Sequence, residues 1–273
     1  YDVVLFRYWH PFFIPAYNSI IKTIRQSKNR VKIFAICDNI IPHESYSLQK
    51  ILIKKFIDKL DGVITMSENV NNELKNINPE INSKCLFLPI LDDLPPLLDS
   101  LESREKLCLD INKKVLLFFG LIRDYKGLDI LLHSIGRFSN KILDSFQLVV
   151  VGESYENISK YKKIVKEYVI EENIVWINEY VPDSKISLYF SACDYVVLPY
   201  KTASQSGIIP MAYNYNKPVI ASNIEGIKDQ VLNAKTGFLF ESENIESLKQ
   251  LLEKIILDSD VNDLLENLID YKK

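Results

Sequence analysis

The sequence predicts an α/β protein with two parallel sheets in two successive domains. Short apolar, β-branched runs alternate along most of the chain with longer amphipathic segments, a pattern typical of βα units and of parallel sheets buried on both faces. The alternation stops between residues 89 and 113, where prolines and aspartates cluster, and then resumes. That interruption favours a connection between domains over a core element.

The first series of elements contains four predicted strands separated by helices. The strands are Val3 to Phe6, Val31 to Ile36, Gly62 to Thr65 and Lys84 to Leu88. The helices are Pro15 to Gln26, Leu48 to Leu60 and Glu68 to Asn76. Ser67 is a good N-cap for the third helix, because its hydroxyl can accept a hydrogen bond from a first-turn N–H.

The second series contains six predicted strands and five helices. The strands are Val115 to Phe119, Phe146 to Val151, Ile174 to Ile177, Tyr195 to Leu198, Pro218 to Ala221 and Phe238 to Phe240. The helices are Gly127 to Phe138, Tyr155 to Val169, Asp183 to Ala192, Gly207 to Tyr215 and Ile245 to Leu257. The predicted domain boundaries are 1–95 for the first domain, 96–113 for a linker, 114–258 for the second domain and 259–273 for a C-terminal helix that could cross back to the first domain.

Composition and charge exclude some classes of function. The chain is 47% hydrophobic and 25% charged, which is ordinary for a globular protein. Its formal charge of -3 argues against a general nucleic-acid binder, which would need a basic excess to neutralise phosphates. Residues 20–59 carry nine basic and three acidic residues. This local excess indicates either solvated helix faces or a surface for an anionic membrane or a phosphate-bearing acceptor.

The cysteines and the apolar runs of the sequence indicate the cellular compartment in which the protein is expected. The four cysteines form no C-x-x-C pair, so neither a zinc site nor a redox motif is indicated. Cys37 and Cys193 lie in or beside apolar runs and are expected to be buried thiols, which fits a reducing cytoplasm. No run of 18 apolar residues and no leader is seen, so neither a membrane span nor a secretory signal is predicted.

The most specific segment is 116–129, where a buried strand ends at Gly120 and a helix opens at Gly127. Arg123 and Lys126 lie between the glycines, three residues apart. Gly120 lets a ligand approach the backbone, Arg123 can make bidentate contacts and Lys126 supplies a compact charge. The segment therefore predicts an anion site at the carboxyl edge of a parallel sheet. The alternative is a surface loop with two ordinary cations.

A second candidate segment, 198–211, also follows a predicted strand and ends at the start of a helix. Ser204, Ser206 and the backbone N–H groups around Gly207 are expected to hold phosphate oxygens, because free donors and the helix dipole favour an anion there. Ser206 could instead serve only as the N-cap. Both segments suit the same diphosphate, so we predict one shared site.

Five motifs follow one another in the second series. They are Gly120-x-x-Arg123-x-x-Lys126-Gly127, Ser204-Gln205-Ser206-Gly207, Lys217-Pro218-Val219-Ile220-Ala221, Glu225-Gly226 and Thr236-Gly237-Phe238-Leu239. In order and spacing they resemble the donor-binding domain of family 4 glycosyltransferases (glycosyltransferase group 1), and they cover nearly all of residues 114–257. The resemblance implies the GT-B fold of two Rossmann-like domains. Because Tyr1 opens directly on a strand, the first domain is expected to be incomplete at its N-terminus.

The resemblance also implies roles for the site residues. Arg123 and Lys126 would stabilise the donor diphosphate as the nucleotide leaves, and no metal is expected because two cations and a helix end replace it. The backbone of residues 178–182 would hold the nucleobase. The donor-binding residues implied in this way are Gly120, Tyr180, Val181, Ser204, Gln205, Ser206 and Gly207.

Two positions depart from the family pattern. The family commonly has two glutamates separated by seven residues, one near the sugar and one on the ribose. Alignment on Lys217-Pro218 puts Ala203 and Met211 at those places, and neither side chain accepts a hydrogen bond as a carboxylate does. The Ser-Gln-Ser-Gly loop is similar to that of a subgroup of family-4-like enzymes.

The first series resembles the acceptor-side domain of the same family. His10 follows the first predicted strand, and Asp38 and His43 follow the second. All three are expected to face the interdomain cleft and to contact the reacting sugar or the acceptor hydroxyl. The alternatives are that the aromatic residues beside His10 only pack and that His43 caps the following helix.

The resemblance implies a retaining transfer of sugar from a UDP- or GDP-linked donor to a hydroxyl of a glycan or lipid-linked acceptor, in surface polysaccharide synthesis of the bacterial type. The expected partners are this donor, the acceptor and, at the inner membrane face, anionic lipid, with no nucleic acid and no permanently bound cofactor. Two alternatives remain: a sugar-nucleotide epimerase or phosphorylase of the same fold, and a non-catalytic binding or scaffold protein. Weak or no activity is expected of residues 1–273 by themselves.

Overall fold

The protein forms two α/β units. The computed structural model describes residues 2–8, 10–26, 31–41, 47–86, 94–257 and 262–271. The chain divides into two compact units, Tyr1–Leu88 and Pro89–Lys273. Each unit is built on one sheet of parallel strands with intervening helices, so the predicted α/β class is confirmed.

The first unit holds a parallel sheet whose four strands follow chain order. Its strands are β1 (Val3–Tyr8), β2 (Lys32–Cys37), β3 (Gly62–Thr65) and β4 (Ser83–Cys85), and its helices are α1 (Ile14–Gln26), α2 (Ser47–Ile57) and α3 (Glu68–Ile77). Ile33, Ala35 and Cys37 alternate along β2 and are buried in the core of the unit. Ser67 Oγ accepts a hydrogen bond from Val70 N–H at 3.3 Å, which confirms the predicted N-cap.

The second unit holds a six-stranded parallel sheet. Its strands are β5 (Lys114–Phe119), β6 (Phe146–Val151), β7 (Ile174–Ile177), β8 (Tyr195–Leu198), β9 (Val219–Ser222) and β10 (Gly237–Phe240). Its helices are α4 (Ser100–Lys106), α5 (Leu128–Ile135), α6 (Asn140–Leu143), α7 (Ser159–Glu167), α8 (Asp183–Ala192), α9 (Ile208–Asn214), α10 (Glu225–Lys228), α11 (Ile245–Leu257) and α12 (Asn262–Tyr271). The strand order is β10-β9-β8-β5-β6-β7.

The central strand β5 is buried on both faces. Leu116 and Phe118 belong to one apolar cluster, whereas Val115, Leu117 and Phe119 belong to a second cluster. Because successive strand side chains point to opposite faces, the two clusters lie on the two sides of the sheet. This is why β5 reads as a continuous apolar run and not as an alternating one.

Residues 96–113, expected to be a linker, contain α4 and pack within the second unit. The Asp99 carboxylate caps α4 by accepting a first-turn N–H at 2.9 Å. Arg104 is buried, donates to Ala192 O at 2.9 Å and pairs with Asp194 at 2.8 Å. The aspartate that suggested a turn is therefore a helix cap, and a buried ion pair ties the helix to the sheet.

The last helix, α12, also contributes to the second unit. Leu264 and Leu268 are buried, one in each of the two apolar clusters of that unit. Within the described part of the chain, no helix combines the length and the apolar character that a membrane crossing requires.

Two cysteines are buried, as predicted. Cys37 lies in the core of the first unit and Cys193 in the second. Burial raises the pKa of each thiol to about 12, so both stay protonated near neutral pH. They act as small apolar side chains and not as nucleophiles.

Candidate functional site

The two predicted anion-binding segments follow neighbouring strands. The chain runs from β5 outward through β6 and β7, then returns to the other side of β5 with β8. In open parallel sheets, ligands bind beyond the carboxyl ends of the strands at such a switch point. The loops after β5 and β8 are the segments that contain Arg123, Lys126 and the Ser-Gln-Ser-Gly sequence.

The loop after β5 folds Lys126 back over the end of its own strand. Gly120 has φ of 99°, and a short 3₁₀ helix, Asp124–Lys126, ends at Gly127 with φ of 66°. A β-carbon added at Gly120 would lie 2.9 Å from Lys126 Nζ. The glycine therefore leaves room for the ammonium group at the end of β5. The close approach that was predicted for a ligand at Gly120 is made here by the Lys126 side chain.

Lys126 is a buried cation for which the described part of the chain supplies no carboxylate partner. Its side chain is 7% exposed, and Nζ lies 5.6 Å from the ring centroid of Tyr200. Among the described residues no carboxylate oxygen lies within 4.0 Å of it. Burial, and then the charge of Arg123, lower the pKa of Lys126 to about 8. Because a buried unpaired charge is costly, this environment favours an anionic ligand.

Arg123 is held at the exposed side of the same loop. Its guanidinium carbon lies 4.9 Å from the ring centroid of Tyr155, and a parallel bridge pairs Ile122 with Ser154 next to it. Its donors make no hydrogen bond or ion pair within the described ranges of the chain. A stacked guanidinium with its edge free can bind a phosphate by two hydrogen bonds.

The loops after β5 and β8 contact each other directly. Lys201 N–H donates to Tyr125 O at 2.8 Å. A β-carbon on Gly127 would lie 1.8 Å from Pro199 O, so the backbone of one loop touches that of the other. The end of β5 and the end of β8 thus form one continuous edge.

Ser206 is buried one residue before Gly207, which is the N-cap of α9 in place of the serine that the sequence suggested. Its side chain is 4% exposed, and its N–H donates to Gln230 Oε1 at 3.0 Å. Its Oγ accepts from Ile208 N–H at 3.3 Å at the start of α9. These contacts fix the loop and occupy the backbone N–H of Ser206, whereas its hydroxyl acts in them only as an acceptor. A direct ligand contact by the Ser206 hydroxyl stays a prediction.

The rest of the Ser-Gln-Ser-Gly loop is more open. Ser204 and Gln205 are half-buried, whereas Gly207 is exposed. No atom lies within 4 Å of a β-carbon built on Gly207. A side chain at Gly207 would therefore meet open space among the described residues, and the Ile208 N–H beside it donates to Ser206 Oγ.

A cavity of about 220 Å³ adjoins Gly120 at the ends of β5, β6 and β7. Its lining includes Phe119, Gly120, Gly152, Tyr180, Val181 and Ile186. A β-carbon on Gly152 would lie 2.1 Å from Gly120 O, so the floor of the cavity consists of closely packed backbone. The residues expected to hold a nucleobase, Tyr180 and Val181, lie on its wall.

In the first unit, two of the three predicted catalytic residues have partners within the protein. The His10 ring Nδ1 accepts a hydrogen bond from Phe12 N–H at 3.2 Å and caps a short 3₁₀ helix. Arg7 donates to both Asp38 oxygens, at 2.9 and 3.2 Å. Asp38 thus forms an ion pair with Arg7, which was not predicted from the sequence. His43 lies outside the described residues.

Several residues of the site were not predicted from sequence. Tyr155, Tyr200, Lys201 and Gln230 contact the predicted side chains or their backbone. Tyr155, Tyr200 and Gln230 belong to no sequence motif that marks them as site residues, because each lies in a different loop. Within the described residues no group of three or more His, Cys, Asp or Glu side chains could hold a metal ion.

Known proteins share the fold of the chain. It superimposes on HepE from Anabaena, solved in complex with UDP, with a TM-score of 0.82 and 17% identity, over 100% of this chain and 74% of that one. It superimposes on sucrose-phosphate synthase from Thermosynechococcus elongatus with a TM-score of 0.79 and 17% identity, over 99% and 69% of the two chains. These structures have the GT-B fold of two Rossmann-like domains, which confirms the predicted architecture.

Sequence comparison gives the family. An uncharacterized glycosyltransferase from Haemophilus influenzae is 28% identical over 54% of this chain and 40% of its own length. A D-inositol 3-phosphate glycosyltransferase from Corynebacterium aurimucosum is 25% identical over 57% and 38%. The chain thus matches about two fifths of the length of these relatives. Because the family model "Glycosyl transferases group 1" matches residues 99–273, including both loops, the chain belongs to the group 1 glycosyltransferases.

Proposed function

We propose that this protein binds a nucleoside-diphosphate sugar in the second unit and transfers the sugar to a hydroxyl of an acceptor. The observation that carries the proposal is the buried Lys126 at the switch point of the sheet, which pairs with no carboxylate of the described residues. A diphosphate bound there would supply the missing counter-charge. Arg123, on the same turn, would contact it from the exposed side.

The arrangement of the site fits the parts of such a donor. The 220 Å³ cavity at Tyr180 and Val181 would take the nucleobase, and the backbone at Gly120 would pass beneath the diphosphate. The exposed backbone at Gly207, before the start of α9, would face the phosphates. Since the structural neighbour HepE is solved with UDP and with UDP-glucose, a uridine donor is the first to test.

During transfer, the leaving nucleotide gains negative charge at its diphosphate. Arg123 and Lys126 would stabilise that charge, a role for which preorganised cations in a water-poor site are well suited. No metal is expected to be needed. The loop that carries Ser204 and Gln205 would orient the diphosphate.

The acceptor side is proposed from the family resemblance. We propose retention of anomeric configuration, a glycan or lipid-linked acceptor, a place in surface polysaccharide synthesis, and the family 4 subgroup with the Ser-Gln-Ser-Gly loop. We also propose that the protein acts at the inner face of a membrane, and the excess of basic residues within 20–59 supports this proposal. Within that stretch, Arg25 is paired with Asp61 and Lys54 with Asp58, which reduces the charge that remains for lipid.

Calorimetric titration with UDP and GDP tests the proposal. We expect one site per chain, and we expect Arg123→Ala to weaken binding about tenfold, because a charge-assisted contact contributes about 1.5 to 3 kcal/mol. Lys162→Ala, on the exposed face of α7, is the control and should bind as the unmodified protein does. Absence of binding by both nucleotides would refute a nucleotide-sugar site.

UDP affinity should fall as the pH rises above 8. The pKa of Lys126 in the free protein is lowered to about 8, and a bound diphosphate would raise it. Binding therefore takes up a proton above pH 8, and the affinity drops by up to about tenfold per pH unit until the bound-state pKa is reached. Titrations at pH 7, 8.5 and 9.5 measure this slope, and equal affinity at all three values would contradict it.

A second candidate is a binding protein without turnover. Ala203 and Met211 stand where the family commonly has two glutamates, which favours this alternative. A third is an epimerase or phosphorylase of the same fold. Incubation of the donor by itself, with an acceptor, and with inorganic phosphate distinguishes these functions. An epimerase changes the donor without an acceptor, a phosphorylase changes it only when inorganic phosphate is present, and a binding protein leaves it intact in every case.

A further inference from the structure

Lys201 connects the loop after β8 to the turn after β5. Its Nζ lies 3.0 Å from Asp129 Oδ2 and 3.1 Å from Asp124 Oδ2. Its backbone N–H donates to Tyr125 O. The two loops approach each other at the switch point, and three separate contacts from this single residue join them.

Asp124, whose side chain is 66% exposed, stands close in sequence to both proposed diphosphate-binding cations. It follows Arg123 directly and precedes Lys126 by two residues. Besides Lys201, it pairs with Lys160 at 3.2 Å, and the hydrogen bonds of Lys201 and then Lys160 lower its pKa. Asp124 is therefore ionised but directed to two lysines, and Lys126 and Arg123 keep their charges free for a ligand.

We propose that Lys201 is a positioning residue of the donor site that acts through Asp124 and Asp129. It holds the turn that carries the two proposed diphosphate-binding cations, and it keeps the nearby carboxylate from competing with the diphosphate for them. The inference rests on the proposed function. In this role Lys201 sets the affinity for the donor without touching the donor.

Replacing Lys201 by methionine keeps most of the aliphatic stem and removes the charge. In titrations of the whole chain, Lys201→Met should weaken UDP binding about tenfold, because small displacements of binding groups have large effects. Lys201→Arg retains a cation able to reach both carboxylates and should bind within about twofold of the unmodified protein. If Lys201→Arg were as weak as Lys201→Met, or Lys201→Met bound normally, the proposal would be overturned.

A double-mutant cycle separates positioning from direct contact. With both Asp124→Asn and Asp129→Asn in place, Lys201→Met should cost no more than about twofold, since the groups through which it acts are gone. If Lys201 touched the donor, the same substitution would cost about tenfold in either background. The second result would overturn the positioning role.

Lys249 provides a matched control. Its side chain is 20% exposed, like that of Lys201, and it also pairs with two carboxylates, Glu246 and Glu253. Lys249→Met should lower thermal stability about as much as Lys201→Met and leave UDP affinity unchanged. Equal weakening by both variants would show a general stability effect and overturn the proposal. Failure of the unmodified protein to bind either UDP or GDP would instead refute the proposed function.

Discussion

Lys126→Met should bind UDP about a hundredfold more weakly than the unmodified protein and yet be more stable without ligand. The first effect follows because a desolvated cation facing a phosphate contributes several kcal/mol. The second follows from the pKa of Lys126, lowered to about 8 by burial and then by Arg123. Well below pH 8 the fold bears the cost of a charged lysine, on the order of 3 kcal/mol.

The sign of the stability effect can be checked with pH. A group whose pKa is lowered by folding destabilises the protein fully below the folded pKa, and the penalty disappears as the pH rises to the unfolded value. Urea unfolding should therefore show a gain for Lys126→Met at pH 7 that shrinks near pH 10. Lys141→Met, on the exposed surface of α6, is the control and should change neither quantity. Destabilisation by Lys126→Met at pH 7 would contradict the assignment of an uncompensated charge.

Gly127→Ala should destabilise the protein by about 4 kcal/mol and disconnect the two loops of the site. Gly127 has φ of 66°, and its β-carbon would lie 1.8 Å from Pro199 O and 2.9 Å from Pro199 C. The clash is with backbone, so no side-chain rotation relieves it. The turn would have to move away from the end of β8, and UDP binding should weaken with it.

Gly207→Ala is the control for this substitution. Gly207 has φ of -69°, and no atom lies within 4 Å of its added β-carbon. Its stability should stay within about 1 kcal/mol of the unmodified protein. Urea unfolding of both variants measures the difference. If the two alanine substitutions had equal effects on stability, the close approach of the loops after β5 and β8 would be refuted.

The structural elements that could be predicted from sequence are those that a short stretch of neighbouring residues specifies. β3, β6, β7 and β8 have the predicted bounds, because each is a short apolar run between polar segments. The N-cap at Ser67 could also be predicted from the sequence, since a capping side chain bonds to an N–H within the first turn of its own helix. The helix α4 was missed because its aspartate and the neighbouring prolines resemble a turn, and because Arg104 and Asp194, which hold it, are 90 residues apart.

The sequence alone determined the family resemblance, the two cations between Gly120 and Gly127, and the two loops that share one sheet edge. Only the tertiary structure decided that Lys126 is buried with no carboxylate of the described ranges beside it, that Ser206 is engaged by Gln230, and that Asp38 is paired with Arg7. The physical reason is that burial and charge pairing depend on neighbours from distant parts of the chain. A motif specifies which groups are available, whereas the fold determines which of them remain free for a ligand.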